Sequence, residues 1–159
     1  MSEEMPATPA LEVLATSGLD VRVVRTVPAR DPEESAQLQG IPLGALLRTI
    51  VVRRGTDDYL FVLVPGGRRL DWPRLRAHLG IRRLSLPGED EAREATGYER
   101  GAITPFGSRR AWPVVVDASA LEHDTVAIGG GARGVNVHVA PRALVDHLGG
   151  EVADVTVLA

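Results

Sequence analysis

The stretch Leu46-Leu47-Arg48-Thr49-Ile50-Val51-Val52 sets one arginine inside an apolar run of the kind that folds into a buried strand. A guanidinium stays charged in a protein, and burying it unpaired costs several kcal/mol. Arg48 must therefore reach water or meet an anion, which makes it a candidate cation at a pocket edge. The second candidate is Gly97-Tyr98-Glu99-Arg100-Gly101-Ala102-Ile103-Thr104-Pro105-Phe106-Gly107, with three glycines and a proline in eleven residues. Such a backbone can approach a ligand closely, and its amide N–H groups can converge on a carbonyl or an anion. Read as structure alone, the same stretch is a long connection between a helix and a strand, and the two readings stand level.

A further glycine cluster, Gly129-Gly130-Gly131-Ala132-Arg133-Gly134, lacks the lysine and hydroxyl of a phosphate-binding loop and does not open a helix. It reads as a tight turn, with a pocket wall carrying Arg133 as the secondary reading. In Val135 to Val139, Asn136 and His138 share one face and the three valines the other, so one face of this strand is polar. The four histidines show no metal-ligand spacing, and no serine sits in a nucleophile-elbow context. Asp117, after three valines, reads as a cap of the following turn.

These residues need elements to hold them. A short helix is expected from Ala10 to Ser17, closed by Gly18, followed by a strand from Val21 to Val27. Asp31-Pro32-Glu33-Glu34 starts a helix that Gly40 and Pro42 end. Strands from Leu46 to Arg53 and Tyr59 to Val64 flank a hairpin turn at Gly55 to Asp58. Helices follow from Asp71 to Gly80 and from Gly88 to Thr96, with a short strand at Arg82 to Leu86 between them. Strands are expected at Val114–Asp117, Thr125–Ile128 and Val135–Val139, then a helix from Pro141 and a last strand within Glu151 to Leu158. The irregular mixture of hairpins and crossovers favours an α/β fold with a mixed sheet.

The 159 residues, 44% hydrophobic, suffice for one domain with a real core. No stretch is long and apolar enough for a membrane span, and the acidic, Pro/Ala-rich start is no signal peptide, so a soluble cytoplasmic protein is expected. Residues 1–9 read as a flexible tail and 10–159 as the domain. Cysteine is absent, which excludes disulfides and thiolate chemistry. All 18 basic residues are arginine, yet the net charge is −3, against a general nucleic-acid coat. Four adjacent arginine pairs, at 53–54, 68–69, 82–83 and 109–110, read as solvated element ends or as a local phosphate grip.

Four stretches in order, LLRTIVV, LDWPRLRAHLG, GYERGAITPFG and VVVDASALEHDTVAIGGGARGVNVHVAP, resemble the YbaK/EbsC family of aminoacyl-tRNA deacylases, related to the editing insertion domain of bacterial prolyl-tRNA synthetases. The likeness runs from about Leu11 to Leu148, and its most specific element is the G-x-x-x-P loop, Gly101 to Pro105. It implies a single three-layer domain with a mixed, half-barrel-like central sheet flanked by helices. It also implies a free-standing hydrolase of the ester in a misacylated tRNA such as Cys-tRNA(Pro) or Ala-tRNA(Pro), with no cofactor. The partners it implies are a tRNA acceptor end and prolyl-tRNA synthetase, with neither DNA nor membrane. The site carried over is Arg48, Gly101 and Pro105 as catalytic residues. Thr49, Tyr98, Ala102, Ile103, Thr104, Gly130, Gly131, Asn136 and His138 are carried over as substrate-binding residues. One departure matters: Arg48 stands where the family pattern has lysine. A fixed cation survives that change and a neutral base does not. The alternative is therefore a catalytically impaired module that binds an aminoacyl-tRNA end or a nucleotide.

Overall fold

The computed structural model describes residues 7–159, so residues 1–6 of the expected tail lie outside it. Thr8 and Pro9 are the N-cap and first residue of α1 (Pro9–Ala15), with Thr8 buried and its hydroxyl donating to the Gly130 carbonyl at 2.7 Å. Three strands form one antiparallel half, in the order β1 (Val21–Arg25), β7 (Val135–Val139), β6 (Val126–Gly129). The other half runs β2 (Leu47–Gly55), β3 (Asp58–Pro65), β5 (Val114–Asp117), β8 (Glu151–Ala153). Here β2 and β3 are antiparallel, while β5 lies parallel to both β3 and β8. A single parallel bridge, Leu46 to Ala127, joins the halves at the start of β2. The result is the expected mixed sheet, open rather than closed.

Side-chain alternation sorts the core into two layers. Leu47, Val51, Phe61, Leu63, Val116, Ile128 and Val137 face a layer that includes α1, α4 (Glu89–Thr96) and α5 (Pro141–Leu148). Val52, Leu60, Val62, Val64 and Val115 face α3 (Trp72–Leu79) through Leu75. Each of the fully buried large residues, Phe61 and Leu63 among them, contributes about 1.5–3 kcal/mol by leaving water. The remaining helix, α2 (Pro32–Gln39), buries only Ala36 and meets the polar face of β7, where Gln39 Oε1 lies 2.9 Å from His138 Nε2.

Three local expectations change. Arg82 to Leu86 is not a strand: Ser85 alone exchanges backbone hydrogen bonds with Arg53, at 2.8 and 3.1 Å. The last strand is split, because the Val155 N–H donates to the Asp117 carboxylate at 3.0 Å and its carbonyl accepts from Asp71 N–H at 2.8 Å. Beyond the break, β9 (Thr156–Leu158) pairs with an unexpected short strand, β4 (Arg68–Leu70). Asp117 does cap the next turn, accepting from Ser119 N–H at 3.2 Å and from its hydroxyl. Several of the paired arginines have partners within the protein: Arg53 meets Glu91, Arg54 meets Asp58, Arg68 meets Thr156, and Arg110 stacks on Trp112.

Candidate functional site

The two halves of the sheet separate beyond the Leu46–Ala127 bridge, and a cavity of about 890 Å³ occupies the opening. Its walls are residues 46–51 of the β2 run, the start of α2 at Asp31, Pro32 and Ser35, the approach to α4 at Leu86 and Pro87, the loop at Arg100, Gly101 and Ile103, and Gly129 with Asn136. Arg48 is exposed rather than buried, so its charge reaches water, and one guanidinium N–H donates to the Arg68 carbonyl at 3.0 Å. Successive side chains of a strand point to opposite faces, so Arg48 and Thr49 reach the cavity from opposite sides of the sheet. The Thr49 Oγ1 is buried there without a hydrogen-bond partner among the described residues.

The 97–107 loop is tied back on itself. Gly97 closes α4 at φ +83°, where residues with a Cβ are strained. The buried Tyr98 hydroxyl then donates to the Phe106 carbonyl at 2.5 Å, tying the loop's ends together. Burial, above all, pushes the Tyr98 phenol up to about 12, so it stays neutral and donates at neutral pH. The indole N–H of Trp112 donates to Ala95 O at 2.9 Å and Arg109 N–H to Thr96 O at 2.9 Å, fastening the following segment to the end of α4. Inside the loop Ala102 N–H donates to Glu99 O at 3.0 Å, whereas the N–H groups of Gly101, Ile103 and Thr104 donate to no acceptor among the described residues. Gly101 itself has φ +88°, and the Arg133 guanidinium lies 3.3–3.5 Å from the place a Cβ would take.

Of the residues expected in the site, Arg48, Thr49, Gly101, Ile103 and Asn136 meet in this cavity. The others lie outside its wall. Pro105 and Ala102 are half-buried, and Thr104 is fully buried with its Oγ1 unpartnered. Tyr98 belongs to the core, where Gly131 packs so closely that a Cβ would come within 3.0 Å of its ring. Gly130 accepts the Thr8 hydroxyl and approaches Val135. His138 shares the Asn136 face but is occupied by Gln39; burial first, and the Arg22 charge on the neighbouring strand second, lower its pKa.

Sequence reasoning missed Asp31, Ser35, Leu86 and Ala92 as wall residues, since only the fold brings α2 and α4 to the opening. Asp31 carried one signal, its capping position, and its carboxylate indeed accepts Glu34 N–H at 2.8 Å. Arg100 sat beside the expected loop residues without being singled out. None of the eight paired arginines lines the cavity. The charge of its wall is mixed, Arg48 and Arg100 against Asp31 and Glu89, with Arg133 adjoining at Gly101.

The aminoacyl-tRNA editing domain profile matches residues 26–147, well over half of the chain. A protein of Enterococcus faecalis named as a candidate Cys-tRNA(Pro)/Cys-tRNA(Cys) deacylase, EbsC, is 25% identical over 78% of this chain and 76% of its own length. The proline–tRNA ligase of Thermosipho melanesiensis is 30% identical over 66% of this chain, which spans only 18% of that enzyme. Among solved structures, a candidate trans-editing enzyme for prolyl-tRNA synthetase superposes with a TM-score of 0.85 at 28% identity, over 94% of this chain and 95% of that one. Among the described residues no helix is long and apolar enough to cross a membrane.

Proposed function

Since the chain belongs to the aminoacyl-tRNA editing domain family, we propose that it is a deacylase that hydrolyses the ester of misacylated tRNA, with Cys-tRNA(Pro) or Ala-tRNA(Pro) as substrates. The observation that carries this reading is one cavity lined by a cation, Arg48, and by Gly101 and Ile103, whose N–H groups donate to no acceptor among the described residues. An aminoacyl ester is already activated, so the chemistry asks for orientation and for donors where negative charge develops on the carbonyl oxygen. Water adds to that carbonyl, the ribose oxygen leaves with the proton that water gives up, and the free amino acid departs. A fixed cation near the acceptor end anchors phosphate or ribose without taking a proton, a role open to arginine. The tRNA acceptor end is then the partner, and prolyl-tRNA synthetase the enzyme whose errors are cleared.

The test is release of amino acid from alanyl-, cysteinyl- and prolyl-tRNA(Pro) by the purified, folded protein. Release of alanine or cysteine with prolyl-tRNA spared is expected; no release from any misacylated tRNA refutes it. A second reading is favoured by Arg48 itself, which replaces lysine and already donates to the Arg68 carbonyl. A module that binds without turnover would show saturable binding and no release, and Arg48→Lys would bring activity back.

A further inference from the structure

The cavity contains an unpaired sheet edge. Arg53 exchanges both backbone hydrogen bonds with Ser85, on the side of β2 away from β3, at 2.8 and 3.1 Å. In an antiparallel ladder the N–H and C=O of one residue point the same way, and residues two apart share that direction. Thr49 and Val51 therefore turn their main-chain groups outward like Arg53, while Leu46 turns inward, its carbonyl accepting from Gly66 N–H at 2.8 Å. The outward edge is paired near one end by the Leu46–Ala127 bridge and at the other by Ser85, and nothing described pairs with it between them. Both Thr49 and Val51 line the cavity. Two free positions about 7 Å apart thus face the space that also holds Gly101 and Ile103.

We propose that the free edge of β2 at Thr49 and Val51 binds the aminoacyl group of the substrate as though it were one residue of an added antiparallel strand. This rests on the deacylase reading and goes beyond it by assigning which main-chain groups hold the amino acid. An aminoacyl ester offers the groups that a paired strand residue offers: a donor on its α-nitrogen and a carbonyl acceptor one carbon away. Its α-ammonium donates to an outward carbonyl of β2, a charge-assisted bond, and an outward N–H of β2 donates to the ester oxygen. That oxygen has a second lone pair for the loop amides. Directly opposed residues place their side chains on the same face. A substrate opposite Thr49 therefore sets its side chain beside the unpartnered Thr49 Oγ1.

Amide hydrogen exchange by NMR, with an amide-linked 3′-alanylamino-3′-deoxyadenosine as probe, tests the assignment. In the free protein the Thr49 and Val51 amides should exchange much faster than those of Ile50 and Val52, which point toward β3. The probe should protect or shift Thr49 or Val51 together with Gly101 or Ile103. In parallel, lactyl-tRNA(Pro), whose α-amino group is replaced by hydroxyl, should be cleaved about 10- to 100-fold more slowly than alanyl-tRNA(Pro), each relative to its spontaneous rate. Shifts confined to the loop, or equal cleavage of both esters, overturn the edge assignment while leaving the deacylase reading intact. Absence of both probe binding and alanine release removes the two together.

Discussion

Replacing Gly101 by alanine separates what the loop does for the fold from what it does for the reaction. At φ +88° any residue with a Cβ is strained, by about 1–2 kcal/mol. The new methyl meets only the Arg133 guanidinium at 3.3–3.5 Å, the end of an exposed flexible side chain that can give way. Stability should thus fall by roughly the backbone term, a loss of about 2–8 °C in Tm for a chain of this size. Gly149→Ala is the matched control, at φ +60° with nothing within 4 Å of its added Cβ, at the end of α5. Catalysis should respond differently. If relaxation of the strained peptide turns the Gly101 amide off the ester oxygen, one oxyanion donor is lost, worth about 100- to 1,000-fold in kcat. Single-turnover deacylation below the lower of the two melting temperatures reads this directly. Equal losses of Tm with kcat for Gly101→Ala within about twofold of Gly149→Ala would refute a role for this amide in the reaction.

Arg48 is exposed, so Arg48→Ala should leave Tm within about a degree while weakening tRNA binding and its dependence on salt; a Tm loss with unchanged salt dependence would make it a structural residue. Tyr98→Phe leaves the Phe106 carbonyl buried and unpaired and should cost about 1–3 kcal/mol, seen as a lower denaturant midpoint and faster exchange of the 97–107 amides. His138 is held neutral by burial and then by Arg22, so its folded pKa lies below 6.5. The unfolded chain takes up the proton first as pH falls below about 6.5, so stability declines toward the lowered folded pKa. Wild-type Tm should therefore drop more between pH 7.5 and 5.5 than that of His138→Gln; parallel curves would show that folding does not lower the His138 pKa.

How legible the site was depended on how local its signals are. Helix starts such as Asp31-Pro32 and stops such as Gly80 and Gly97 act within one turn, and the structure has them where their residue types put them. The alternation in VNVHV set Asn136 and His138 apart from the valines, and that division holds. What was not legible depends on partners far along the chain. Arg82 to Leu86 has the composition of a strand but finds only Arg53 to pair with, and the last strand breaks because Val155 bonds to Asp117 instead of continuing the ladder. Tyr98 and Gly131 looked like contacts for a ligand, yet they pack on each other behind the loop.

That pattern bears on the arginine that stands where lysine was expected. On the proposed deacylase reading, the groups that meet an ester carbonyl in this cavity are main-chain ones: the amides of Gly101 and Ile103, and the outward edge of β2. Short of proline, a substitution cannot remove such donors; it can only move them, so the glycines that set this loop's backbone, Gly101 at φ +88° and Gly97 at φ +83°, matter to the donors' placement. Side-chain duties reduce to charge and shape. A guanidinium already anchored by one N–H on the Arg68 carbonyl keeps four donors for a phosphate or a ribose oxygen, and gives up only the ability to become neutral. Arg48→Lys is therefore the decisive substitution. If the carbonyl is activated by the backbone, lysine and arginine should turn over within about tenfold of each other, with a difference mainly in KM, since lysine replaces a fork by a point charge. If the position acts as a neutral base, lysine alone supports turnover, kcat follows a titration near the lysine's own pKa, and the arginine protein binds without cleaving.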